Sequence, residues 1–200
     1  MKKLFIVLSC LSFSNLLNAQ CDGRYQTEIF NSVNITTVNY SDVYNDIRHL
    51  MDIYTPNGDT ALNRPVVIYV HGGGFHMGNK NSVDCVDFCE SFAKKGYVAV
   101  SINYRLSDYS TWMSSNKEQY ESIMRAVFDS KAAVRYLRKD FENNNSYGID
   151  TSAIFLGGYS AGAVTAIHHA YIDNITDLPD NLIDIDGAIY SMQSSIDSIG

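Results

Sequence analysis

Positive charge is scarce in this chain: Lys and Arg number 15 against 22 Asp and Glu, a formal net charge of −7. That balance argues against a nucleic-acid partner, which selects for a basic face. Long apolar runs are lacking too. Beyond the N-terminus none reaches the ~18 residues needed to cross a bilayer. Internal repeats are absent and no boundary divides the chain, so its 200 residues read as one domain with a sizeable core. Cysteine is sparse, four in all. Cys85 and Cys89 have no further Cys or suitably spaced His with which to form a zinc site, and no metal or other cofactor is expected.

What is present is the composition of a globular protein, 46% hydrophobic and 18% charged. At the N-terminus, Lys2-Lys3 precede Leu4-Phe5-Ile6-Val7-Leu8 and a Leu/Ser/Phe stretch to Leu17, followed by Asn18-Ala19-Gln20. A charged n-region, an apolar h-region and a small residue predict a signal peptide over 1–19, cleaved after Ala19, and a secreted or periplasmic protein. The alternative is a buried first helix. Lipidation at Cys21 is disfavoured by Gln20 before it. Cys10 leaves with the signal, so Cys21, Cys85 and Cys89 remain. Cys85 and Cys89 lie four apart on a predicted helix, about 6 Å between Cα atoms, within disulfide range. A bridge and two small buried thiols stand as equal readings.

Hydrophobic periodicity orders the rest. Ile29, Val33, Ile35 and Val38 alternate with polar residues, predicting a half-exposed strand over 28–38, and Leu50–Tyr54 predicts a second. These two read as an antiparallel edge ribbon. Pro65–Val70 is a short continuous apolar run, the pattern of a strand buried on both faces. Val83, Val86, Cys89, Phe92 and Ala93 recur at helical spacing and Lys94-Lys95-Gly96 ends that helix. Tyr97–Ile102 reads as a further buried strand. A polar loop with Tyr109 and Trp112 spans Ser107–Lys117, either a pocket entrance or an ordinary surface loop. Ile123, Val127, Ser130, Val134 and Leu137 then form one face of a long helix. Ala153–Leu156 predicts the next strand, a helix runs to about Tyr171, and Ile183–Tyr190 reads as a last strand. Strands alternating with helices imply an α/β fold, a mostly parallel sheet with helices on both faces.

Two glycine motifs follow buried strands. Gly158-Tyr159-Ser160-Ala161-Gly162 fits G-x-S-x-G, a strand-to-helix turn so tight that residues flanking the serine by two positions face each other and tolerate no side chain. Ser160 then sits at a helix N-terminus, where free N–H groups suit a developing oxyanion. Upstream, His71-Gly72-Gly73-Gly74-Phe75 exposes backbone N–H groups to close approach. With the N–H after the nucleophile, such a loop forms an oxyanion hole. The expected donors are Gly73, Gly74 and Ala161, and the expected catalytic residue is Ser160. The competing reading is a glycine-rich turn beside an accidental G-x-S-x-G.

On these residues, together with Tyr104-Arg105-Leu106, Asp129, Ala132–Arg138 and Tyr147-Gly148-Ile149-Asp150, the chain resembles the α/β-hydrolase fold, and within it the carboxylesterase and hormone-sensitive-lipase-like esterases. The resemblance runs from about Leu50 to Tyr190. One departure is Ala163, where many such esterases carry another glycine. The resemblance implies attack by Ser160 on an ester carbonyl, an acyl-enzyme, and release by water. It implies that His71 braces the oxyanion loop, and that Asp129 makes a structural contact, a solvated charge being the other reading. The fold's triad order is Ser, then Asp or Glu, then His. After Ser160 the only histidines are His168 and His169, on the helix leaving the elbow and directed away from the serine. Asp184 and Asp186 come too early for the acid. The expectation is therefore a hydrolase domain over 20–200 that is incomplete at its C-terminus, the N-terminal part of a longer esterase and inactive alone. Its partner would be a small or polysaccharide-linked ester. A prolyl-oligopeptidase-type peptidase and a non-catalytic binding protein are the alternatives.

Overall fold

The computed structural model describes residues 23–174 and residue 177. The predicted signal peptide, Cys10, Cys21, and the Ile183–Tyr190 strand with Asp184 and Asp186 lie outside the described residues. A five-stranded sheet is built from β1 (Val33–Asn39), β2 (Leu50–Pro56), β3 (Arg64–Val70), β4 (Val98–Ile102) and β5 (Ile149–Gly158), in the order β1-β2-β4-β3-β5. β1 pairs antiparallel with β2, and β2 antiparallel with β4. β3 lies between β4 and β5 and is parallel to both. Helices α1 (Val83–Lys94) and α3 (Asn116–Asn143) form the crossovers, α2 (Tyr109–Trp112) is a single turn, and α4 (Ala161–Tyr171) leaves β5.

Strand pleating explains the two cores. Val66, Ile68 and Val70 of β3 and Val98, Val100 and Ile102 of β4 pack with Ala126, Ala133 and Leu137 of α3 and Ala161 of α4. The intervening Val67 and Ala99 pack with Cys89 and Ala93 of α1 on the other face. Burial of one such Val, Ile or Leu stabilises the fold by about 1.5–3 kcal/mol. Helix α3 starts at the capping box Ser115-x-x-Glu118, the Ser115 side chain accepting from the Glu118 N–H.

Several expectations are corrected. β1 begins at Val33 rather than Glu28, because the Ile29 and Phe30 N–H groups donate to the Lys94 carbonyl at the end of α1. The inward face of α1 is Cys85, Cys89 and Ala93, while Val83 is 76% exposed in its first turn. β5 buries one face, where Ile154 and Leu156 pack on the core, while Phe155 between them is largely exposed. Part of the 107–117 loop is helical. Cys85 and Cys89 are separate, buried thiols rather than a bridge. Burial pushes the Cys85 thiol up to about 11 and the Cys89 thiol higher still.

Candidate active site

Because β3 and β5 are parallel and Val70 pairs with Gly158, the chain leaves both strands at the same edge of the sheet. The two glycine motifs therefore meet there. A Cβ on Gly72 would lie 3.0 Å from the Tyr159 carbonyl oxygen and 3.4 Å from the Ser160 Cβ. The elbow is as tight as the spacing predicts. A Cβ on Gly158 would sit 2.8 Å from the Gly162 carbonyl carbon and 2.4 Å from the Val70 oxygen. One on Gly162 would reach 1.9 Å from that same oxygen. The end of β3, not only the opposite glycine, enforces the motif.

Ser160 has φ 52 and ψ −114, a strained conformation for a residue with a side chain, costing on the order of 1–3 kcal/mol. It is exposed and precedes α4. The Ala161 N–H is in the first turn of α4, where no intrahelical acceptor exists. Gly73 and Gly74 have φ 118 and φ 60, the left-handed region that glycine enters without penalty. Among the described residues the N–H groups of Gly73, Gly74 and Ala161 find no acceptor, whereas the Gly73 carbonyl is taken by the N–H groups of His76 and Met77. The loop thus turns carbonyls back onto itself and leaves donors free, an arrangement able to receive a negative oxygen.

His71 is buried, and its Nδ1 lies 2.6 Å from the Gly72 carbonyl, so Nδ1 carries the proton. Burial lowers its pKa and keeps the ring neutral. Its ring stacks on Tyr104 at 4.2 Å, and the Tyr104 hydroxyl donates to the His71 carbonyl at 3.0 Å. His71 is therefore part of the loop's support. Gly78 closes that loop: a Cβ there would meet His71 Nδ1 at 2.6 Å. No sequence motif marks it.

Asp129 is buried and makes a structural contact, not a solvated charge. It accepts from the Arg105 backbone N–H at 2.8 Å and pairs with the Arg105 guanidinium at 2.8 Å. A second buried pair, Lys80 with Asp52 at 2.5 Å, fastens the segment after the glycine loop to β2. The sequence signal for it is one charge inside the apolar run Leu50–Tyr54.

His168 and His169 lie two turns along α4, about 11–12 Å from its start at 1.5 Å per residue. His168 Nδ1 meets the Val164 carbonyl at 2.8 Å. His169 Nδ1 meets Ser130 Oγ at 2.8 Å, and burial, aided by the Lys131 charge, pulls its pKa to about 4. Among the described residues, then, no imidazole or carboxylate hydrogen-bonds the Ser160 hydroxyl. Nor does any group of three His, Cys, Asp or Glu there form a metal site. A groove of about 970 Å³ lined by Tyr40, Arg135, Lys139 and His169 excludes Ser160 and the glycine loop.

A family model described as BD-FAE matches residues 51–199. Gut esterase 1 of Caenorhabditis briggsae is 31% identical over 101 residues, which cover 50% of this chain and 17% of that protein. Among solved structures, esterase B from Lactobacillus rhamnosis superposes with a TM-score of 0.57 at 25% identity, over 80% of this chain and 46% of that one. A truncated form of a carbohydrate esterase from gut microbiota gives 0.52 at 25% identity, covering 72% and 44%. This chain thus spans less than half the length of each.

Proposed function

We propose that this chain, which belongs to the BD-FAE family of the α/β-hydrolase fold, carries the nucleophile and oxyanion hole of a secreted serine hydrolase that cleaves carboxylic esters. Ser160 Oγ forms a bond to the ester carbonyl carbon as its proton passes to a general base outside the described residues. The carbonyl oxygen becomes an oxyanion held by the N–H groups of Gly73, Gly74 and Ala161. Collapse expels the alcohol, which takes up the proton, and leaves an acyl-enzyme on Ser160. Water then attacks the same carbonyl and releases the acid. A single donor in such a hole contributes roughly 10²–10³ in kcat.

The observation that carries this reading is the close approach of the glycine loop to the elbow, where a Cβ on Gly72 would lie 3.4 Å from that of Ser160, a strained, exposed serine at a helix start. The esterases among the relatives support ester chemistry, and the carbohydrate esterase supports acyl groups on polysaccharides as one substrate class alongside small esters. The N-terminal charged and apolar segments support export. The test is fluorophosphonate labelling of the protein in its host's secretion, with the tagged peptide identified by mass spectrometry. A tag on Ser160, lost in Ser160→Ala together with hydrolysis of a short p-nitrophenyl ester, is expected. An unlabelled protein that binds esters without turning them over would refute catalysis in favour of a binding role.

A further inference from the structure

Three successive residues of the glycine loop have positive φ: Gly73 at 118, Gly74 at 60 and Phe75 at 64. Phe75 has no glycine's freedom, so something must hold it in the left-handed region. Its ring is buried, stacked on Trp112 at 5.4 Å and edge-on to Tyr104 at 6.2 Å. Its carbonyl accepts from the Ser107 N–H at 2.9 Å. Ser107 is itself fixed, its hydroxyl bonded to Ser122 of α3 and to Arg125 Nη2 at 2.7 Å, with both serines buried. On the same side, Tyr109 meets the His76 ring edge-on at 5.0 Å, and that ring lies 3.2 Å from where a Gly74 Cβ would be. The segment from Ser107 to Trp112 is therefore bolted to α3 at its base and pressed onto the glycine loop along its length.

We propose that this segment is a clamp that keeps the oxyanion loop in its strained, donor-out conformation, with Trp112 as a positioning residue. The catalytic consequence rests on the esterase reading; the mechanical one does not. Without the Trp112 ring, Phe75 is free to relax toward negative φ, turning the peptide planes on either side of it and with them the neighbouring N–H groups. In this role Trp112 acts through Phe75 alone, so its loss is expected to weaken transition-state binding and leave ground-state binding unchanged.

The experiment compares wild type, Trp112→Ala and Trp112→Phe, each expressed from the complete gene, by amide hydrogen exchange and by p-nitrophenyl acetate kinetics. In Trp112→Ala, exchange of the His76 and Met77 N–H groups, which donate to the Gly73 carbonyl, and of the Ser107 N–H, which donates to the Phe75 carbonyl, is expected to rise at least tenfold while β3 and β4 keep their protection. There kcat falls tenfold or more with KM within twofold, and Trp112→Phe recovers to within threefold of wild type. Exchange at His76, Met77 and Ser107 within twofold of wild type would overturn the clamp. If Trp112→Ala loses protection in β3 and β4, Trp112→Leu is read in its place, and global loss there also overturns it, making Trp112 an ordinary core residue. An inactive wild type would refute the esterase reading, while the exchange result would still decide the clamp.

Discussion

Gly162→Ala isolates the geometry on which the candidate site depends. The added Cβ would sit 1.9 Å from the Val70 oxygen, 2.7 Å from the Val70 carbon and 3.0 Å from the His71 oxygen. All three are backbone atoms, two of them at the end of β3, so no side-chain rotation relieves the clash. A normal carbon–oxygen contact needs more than 3 Å, and the elbow must back away from β3 by an ångström or more. Overpacking in a rigid core costs about 1–3 kcal/mol and more where backbone must move, so a loss of about 3 kcal/mol is expected. For a chain of this length that is a drop of about 6–12 °C in Tm. Gly157→Ala is the control, because a Cβ there meets nothing within 4 Å. It should be neutral or stabilising, since glycine in a strand interior costs about 0.5–1 kcal/mol relative to alanine. Denaturant midpoints at matched m-values give the two differences. A Gly162→Ala protein within about 0.5 kcal/mol of wild type, the resolution expected of neutral substitutions, would refute the packing of the elbow against Val70.

Asp52→Ala strands the Lys80 ammonium, whose side chain is 10% exposed. Breaking a buried pair on one side costs about 3–5 kcal/mol, and denaturant unfolding measures it. His169 titrates near 4 in the fold against about 6.5 unfolded. The unfolded chain therefore binds the extra proton between those values, and stability falls as pH drops from about 6.5 to about 4. Thermal melts across that range should flatten in His169→Gln. Asp59 provides an acid-side counterpart. Burial alone would raise its pKa, yet hydrogen bonds from Arg24, the Ala61 N–H and Arg64 outweigh it and hold the group at about 2. Its contribution is complete above about pH 4 and is lost toward 2, a slope that Asp59→Asn removes. Cys85 and Cys89, buried and weakly acidic, should resist iodoacetamide in the native protein at pH 8 and alkylate only on denaturation. Alkylation blocked by oxidation in the native protein would restore the bridged reading.

The elements were legible in the sequence where pattern and burial coincide. β3 and β4 are continuous apolar runs because helices cover both sheet faces, and α3 reads out as a face at helical spacing. Boundaries failed where a non-local partner decides them. Nothing local to Glu28–Ser32 tells that Ile29 and Phe30 spend their N–H groups on the Lys94 carbonyl. Ala153–Leu156 marks β5 as a strand, but a continuous apolar run does not tell that Phe155 is largely exposed while Ile154 and Leu156 pack on the core. The 107–112 segment has no periodicity of its own. Its order comes from Ser122, Arg125 and Phe75, each far from it in the chain.

The same division separates the two halves of the candidate chemistry. A nucleophile elbow and an oxyanion loop can be read from sequence because their function is a backbone conformation. A turn this tight admits only glycine at Gly158 and Gly162, and donors this exposed favour it at Gly73 and Gly74. Those constraints are imposed by atoms within a few residues or by one neighbouring strand. A general base carries no such mark. Any histidine can serve if the fold brings it within about 3 Å of Ser160 Oγ, and that depends on distant segments rather than on its neighbours in sequence. His71, His168 and His169 illustrate the point: each is committed to another partner, namely Gly72, Val164 and Ser130. Among the described residues the proposed hydrolase thus has its nucleophile and donors but no base, while Tyr159, beside Ser160, stands 68% exposed.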